Sequence, residues 1–252
     1  DKPRTAIWAG MGMGKTSSTL TALETMYLAG ESRPTLVLAP LRVCNSTWPE
    51  EAHKWAHLTE IDVQPVTGDE KNRLAALKRD ASIYACNYQN IPWLVDHYGA
   101  HWPFGTVVAD ESTRLKSFRL RQGGVRAQAL AKVAHKNVKR FINLTGTPAP
   151  NGLQDLWGQT WFLDAGQRLG RTYSAFTDRW FCRTADGFGR ELRSQSAADE
   201  IYNKLRDICL TIEARDWFDL NEPIVKEIEV EMPRSARRLY DQLKKDLILQ
   251  IE

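Results

Sequence analysis

Short apolar runs separated by helical patterns restrict this 252-residue chain to a few folds. The runs Thr5–Ala9, Thr35–Ala39, Ile61–Val66, Ser82–Cys86, Thr106–Ala109 and Phe141–Leu144 are the candidate strands. Several are continuously apolar and rich in β-branched residues, as strands covered on both faces must be. Between them, Thr16–Ala29 sets Leu20, Leu23 and Tyr27 on one helical stripe and stops at Gly30. Thr47–His57 carries Trp48, Ala52 and Trp55 at helical spacing, and Thr47 with Glu50 reads as a capping box at its start. Strands alternating with helices of this length imply βαβ units, hence an α/β fold with a helix-flanked parallel sheet.

The texture changes after Asn151. Helices are expected over Gly152–Phe162 and Ala197–Cys209, and a hairpin over Phe181–Arg193 turning at Asp186-Gly187. Ile224–Glu231 alternates like an edge strand, and Pro233 then opens a helix towards Ile251. The expected division is residues 1–150 as the sheet domain and 151–252 as a helical and hairpin extension. The pattern stops inside a helix, so the natural chain is expected to continue past Glu252.

Composition excludes several classes. Hydrophobic residues make up 42% and charged residues 26%, which is too apolar for a disordered chain. The net charge of +3 permits a polyanionic partner without requiring one. Cys44, Cys86, Cys182 and Cys209 are scattered, with no CxxC pair, and read as reduced thiols rather than a disulfide or zinc framework. No apolar run reaches the roughly 18 residues that a membrane span needs. A soluble, intracellular protein with no membrane partner is expected, cytoplasmic in a bacterium or phage and nuclear otherwise.

Ala9-Gly10-Met11-Gly12-Met13-Gly14-Lys15-Thr16-Ser17 lies between the first strand and a helix. Glycines there open backbone conformations closed to other residues and let amide N–H groups approach phosphate oxygens. The helix N-terminus adds partial positive charge. Gly10 through Ser17 are therefore the candidate nucleotide-binding residues, with Lys15 on the β- and γ-phosphates of ATP and Thr16 as a ligand of Mg²⁺. The strict pattern asks for Gly where Ala9 stands. The competing reading, a glycine-rich turn with an incidental lysine, does not account for the strand–loop–helix context.

Asp110-Glu111 ends the apolar run that starts at Thr106. A carboxylate at the carboxyl edge of a strand beside a phosphate loop can hold Mg²⁺, so Asp110 joins Thr16 as a candidate metal ligand. Glu111 can orient and deprotonate the attacking water. Lys15, Asp110 and Glu111 are the candidate catalytic set. Without the loop upstream, a strand ending in Asp-Glu equally describes a solvated turn.

Other phosphate-loop families lack their marks here. Asn203-Lys204-Leu205-Arg206 has no aspartate for a GTPase base reader, and Gln122-Gly123-Gly124 is not a transporter signature. Four segments in order then carry a resemblance: Gly12-Met13-Gly14-Lys15-Thr16, Leu36–Val43 with Ala39-Pro40-Leu41-Arg42, Asp110–Lys116, and Leu144–Asn151 with Thr145-Gly146-Thr147-Pro148. Trp48, Trp55, Asn87-Tyr88-Gln89 and Leu153–Trp157 add to it. The chain resembles the first lobe of the Swi/Snf-type branch of superfamily-2 helicase-like proteins. The resemblance covers nearly the whole sequence.

That resemblance implies a RecA-like lobe that binds ATP and Mg²⁺, and ATP-driven translocation on double-stranded DNA. A strand-separating helicase and a non-catalytic ATP- or DNA-binding module are the alternatives. It implies that Thr145, Gly146 and Thr147 link the nucleotide to DNA contacts, and that Pro40, Leu41, Arg42, Asn87 and Tyr88 lie along the DNA. Hydrolysis is expected to need a second RecA-like lobe carrying an arginine finger, worth about 10³–10⁵ in turnover. One departure stands out: the family has Ala or Gly and then His after its acidic pair, whereas this chain has Ser112 and Thr113.

Arg114, Lys116, Arg119 and Arg121, with Arg126 close by, form a basic run suited to sequence-independent phosphate contact. A solvated face is the plainer reading. His53 with His57, and His97 with His101, stand four apart but lack the further ligands of a metal site. The nine tryptophans recur mostly at core spacing, with Trp180, Phe181 and Phe188 as possible exceptions.

Overall fold

A computed structural model describes residues 2–184, 187, 189–213, 226 and 228–249, with side chains described up to 244. Nine strands carry the frame of the described residues: β1 (Arg4–Ala9), β2 (Thr35–Ala39), β3 (Val63–Val66), β4 (Ile83–Asn87), β5 (Thr106–Asp110), β6 (Arg140–Thr145), β7 (Phe181–Arg183), β8 (Arg190–Leu192) and β9 (Cys209–Ile212). Seven of them form one sheet in the order β3-β4-β2-β5-β6-β1-β9, with every pairing parallel. β7 and β8 form a separate antiparallel pair.

The α-helices are α1 (Lys15–Leu28), α2 (Trp48–Lys54), α3 (Glu70–Leu77), α4 (Ile91–Tyr98), α5 (Val125–Ala134), α6 (Asp155–Asp164), α7 (Tyr173–Trp180), α8 (Gln195–Leu205) and α9 (Arg234–Leu249). Side chains cap three of them: Asp69, Thr172 and Ser194 accept the Asn72, Ala175 and Ala197 N–H groups at the starts of α3, α7 and α8.

The sheet has a core on each face. Alternate residues of fully buried β2 divide between them. Val37 and Ala39 pack with Leu20 and Leu23 of α1 and Trp48 and Ala52 of α2. Leu36 and Leu38 pack on the opposite side, where α4, α5 and α6 bring Leu94, Leu130 and Trp157. Strand Pro65 is tolerated because β3 is an edge strand, where a missing N–H breaks no ladder bond. This is an α/β, RecA-like phosphate-loop sheet flanked by helices.

The structure also departs from the expectations. No capping box opens the second helix. The helical path starts at Leu41, passes through a π-helical segment at Val43–Thr47, and enters α2 with Thr47 itself helical at φ −60°, ψ −49°. Thr47 therefore cannot serve as a cap, and the helix ends at Lys54, before His57. The helix expected to reach Cys209 stops at Leu205, and Cys209 begins β9, which pairs with β1 at the sheet edge. The hairpin forms as expected, although Asp186 of its turn lies outside the described residues. So does part of 224–231, whose described residues form no strand.

Compactness divides the chain into Asp1–Phe218 and Asp219–Glu252. The segment after residue 150 thus shares the sheet's unit as far as Phe218. Within the second unit the described element is α9. Among the described residues no helix is long and apolar enough to cross a membrane.

Candidate nucleotide site

β5, β6 and β1 lie side by side and run the same way, so their carboxyl ends share one edge of the sheet. The register sets Trp8 opposite Thr145 and Leu144 opposite Asp110. The glycine loop leaves β1, the acidic pair ends β5, and Thr145-Gly146-Thr147-Pro148 leaves β6. Parallel pairing alone brings these three segments together, although the glycine loop is far in sequence from the other two.

Within the loop, Gly12 and Gly14 adopt φ of 76° and 71°, a region that side chains rarely enter. Gly14 is the residue from which α1 starts, so the unpaired N–H groups of the first turn of α1 face the loop. Lys15 Nζ donates to the carbonyl oxygens of Ala9 at 2.7 Å and Gly10 at 2.8 Å, drawing its ammonium across the loop. Gly146 comes against the same backbone; a Cβ there would stand 3.3 Å from the Ala9 oxygen. A Cβ at Gly12 would meet no heavy atom within 4 Å, so the mouth of the loop is open. These features fit a bound phosphate chain: amide donors, a cation that can leave two carbonyls, and no side chain in the way. Thr16 is half-buried beside Lys15, and its hydroxyl bonds no other described residue.

Asp110 is held from two sides. The Trp48 indole N–H donates to its Oδ2 at 3.0 Å, and the Tyr88 hydroxyl donates to its backbone oxygen at 2.9 Å. Burial pushes the Asp110 carboxyl above its ordinary range, while the Trp48 bond and the Lys15 charge pull the other way. Glu111 takes φ 59° and ψ 55°; among the described residues Ala165 is the other non-glycine at positive φ. Such a conformation costs a β-carbon on the order of 1–2 kcal/mol. It survives here because its carbonyl receives the Arg114 N–H at 3.0 Å and the Tyr88 hydroxyl at 3.5 Å.

Behind the acids, a 3-10 turn at Ser112–Leu115 packs on α6. Buried Ser112 donates from Oγ to Gln159 Oε1 at 2.8 Å. The Gln159 side-chain amide donates to the Pro148 carbonyl at 2.7 Å and to that of Asp155 at 3.0 Å. One turn earlier on α6, Asp155 Oδ2 accepts from Lys116 Nζ at 3.2 Å and from the Asn151 N–H at 3.0 Å. Thr145 Oγ1 accepts the Thr147 N–H at 3.1 Å, folding the Thr-Gly-Thr turn on itself.

Several residues expected along DNA are placed otherwise. Tyr88 is 1% exposed, and its hydroxyl is spent on the backbone of the acidic pair, so it positions Asp110 instead of facing a strand. Asn87 is buried and bonded to Gln89 and Asn90. Lys116 is ion-paired with Asp155, and the Arg119 guanidinium lies 3.4 Å from the centre of the Tyr173 ring. Pro40 is half-buried, whereas Leu41, Arg42, Arg114, Arg121 and Arg126 are exposed. Neither histidine pair shares a helix, because α2 ends at Lys54 and α4 at Tyr98. Trp180 and Phe181 are in the core, and Phe188 is outside the described residues. The residue that sequence reading missed is Trp48. Its helical spacing marks it as core, and nothing in the sequence says that its N–H meets Asp110.

A family model for the SNF2-related domain matches residues 7–252. The chain belongs to that family. Its SNF2-type lobe is 58% identical to putative protein p41 of Acyrthosiphon pisum secondary endosymbiont phage 1, over all of this chain and 56% of that protein. It is 28% identical to the helicase SWR1 of Saccharomyces cerevisiae over 79% of this chain and 14% of SWR1. The fold matches the SWI2/SNF2 ATPase core of Sulfolobus solfataricus in complex with double-stranded DNA. That match has a TM-score of 0.64 and 24% identity, covering 83% of this chain and 40% of that one. The chain thus spans about half the length of its phage relative and less of the others.

Proposed function

We propose that this lobe binds ATP with Mg²⁺ and powers translocation along double-stranded DNA, hydrolysis being completed by a second RecA-like lobe. The observation that carries the reading is the shared sheet edge. There the Lys15 ammonium spans the glycine loop at the end of β1, and the half-buried, hydrogen-bonded Asp110 ends β5 two strands along. Gly10 to Ser17 cradle the triphosphate, and Lys15 exchanges two carbonyls for phosphate oxygens. Thr16 and Asp110 would hold the magnesium, which would supply positive charge to offset that of the phosphates. Glu111 sits on a bent backbone beside them and takes the proton of the attacking water. The Sulfolobus solfataricus neighbour, an ATPase core in complex with double-stranded DNA, supports the choice of duplex.

Calorimetry with ATP and Mg²⁺ tests the first half: Lys15→Ala abolishes binding while its melting curve stays cooperative. Unchanged affinity refutes the assignment. For the second half, Glu111→Gln in a two-lobed protein retains binding and loses DNA-stimulated turnover. Triplex displacement without unwinding of a forked duplex separates a translocase from a strand-separating helicase.

A further inference from the structure

The segments after the acidic pair and after the Thr-Gly-Thr turn do not bond each other directly through Ser112 or Pro148. Both are bonded to one face of α6. Gln159 joins Ser112 to Pro148, and Asp155, four residues earlier and therefore on the same helical face, joins Lys116 to Asn151. A third tie fixes the helix to the sheet: Asn143 of β6, opposite Ala109 of β5, donates from Nδ2 to the Gln159 carbonyl at 3.0 Å. Gly158 lets the helix lie this close, since a Cβ there would stand 2.5 Å from the Lys116 oxygen and 2.8 Å from that of Leu115.

Gln159 and Ser112 are buried, so neither can trade this bond for one to water. In low dielectric a lost partner leaves an unsatisfied polar group, which makes the link stiff. Ser112 follows Glu111 directly and Pro148 follows Thr147 directly, so each end of the link is one residue from the site.

We propose that Gln159 is a positioning residue. It carries displacement of the acidic pair, set by what the phosphate loop holds, to the segment from Gly146 to Gly152. Asp155 runs a parallel rung from Lys116. The proposal rests on the nucleotide-site reading, and the two can fail separately.

The test is hydrogen exchange on this chain with and without the non-hydrolysable analogue adenylyl imidodiphosphate and Mg²⁺, read separately over the glycine loop and over residues 146–152. In the parent, nucleotide slows exchange in both. Gln159→Leu keeps the protection of the loop but loses more than half of the response at 146–152, and Ser112→Ala does the same with less disturbance of packing. Comparing each variant with and without nucleotide removes any general loosening of α6. Should Gln159→Leu fail to fold, Ser112→Ala carries the test. A parent-sized response at 146–152 in the variants, or none in the parent despite loop protection, overturns the relay and leaves nucleotide binding standing. A glycine loop indifferent to the analogue overturns both.

Discussion

At the scale of single residues, Asp110 is where burial and function conflict. Its folded-state pKa is raised, first by burial, with Trp48 and Lys15 opposing. A group of that kind stabilises the fold below its unfolded pKa, and that contribution is lost as pH rises through the folded pKa. Asp110→Asn does not titrate and still accepts the Trp48 N–H. Its melting temperature, relative to the parent, therefore rises with pH across that window and levels off above it. A difference that is flat with pH, followed by differential scanning fluorimetry, means that its surroundings do not raise the Asp110 pKa. Glu24 is the opposite case. It is buried, yet its carboxylate receives the N–H and hydroxyl of Thr59 and the N–H of Glu60, and its pKa is held low despite burial. Those bonds fix the loop that follows α2 and leave Glu24 to structure rather than chemistry.

At the scale of elements, α6 joins the core to the site. Its buried face stacks Trp157 on Phe118, parallel to within 5°, and Phe162 on Phe141, while Asp155 and Gln159 reach the site loops. Gly158 sets its distance from the 3-10 turn. Replacing a mid-helix glycine by alanine gains about 1 kcal/mol of intrinsic helix stability. Here the new methyl meets backbone oxygens well inside contact distance, and overpacking costs about 1–3 kcal/mol. The clash is with backbone, which cannot rotate aside, so the upper end applies. Gly158→Ala is expected to lower stability by about 2 kcal/mol, a melting shift of roughly 4–8 °C for a unit of this size. A rise in melting temperature means that α6 is not pressed on that turn.

At the scale of the whole molecule, the basic run separates into residues that are already engaged and residues that are free to meet a polyanion. Lys116 and Arg119 are held by Asp155 and Tyr173, whereas Arg121 and Arg126 project into solvent. Each phosphate contact contributes about one to the slope of log affinity against log salt. In duplex-binding titrations over a salt series, Arg121→Ala with Arg126→Ala lowers that slope by about two, and Lys116→Ala leaves it unchanged. A fall of one unit for Lys116→Ala returns that lysine to the DNA surface and detaches it from the α6 rung.

The sequence alone determined the class of sheet and the position of the glycine loop, and it put forward Lys15, Thr16, Asp110 and Glu111 as the site's residues, because these are local matters. A doubly covered strand must be apolar, and a loop whose amides face phosphate must be glycine-rich. The start of the helix through Cys44 was not legible. Thr47 and Glu50 make a good local cap, but packing of Cys44 and Trp48 in the core below β2 and β4 carried the helix through it. The edge strand β9 escaped for a similar reason, since four residues after a helix become a strand only when β1 offers a free edge. Which partners hold the acids was likewise beyond the sequence. Trp48 to Asp110, Tyr88 to the same backbone, and Ser112 through Gln159 to Pro148 are contacts across 62, 22, 47 and 11 residues, respectively, and they exist only because parallel strands end together.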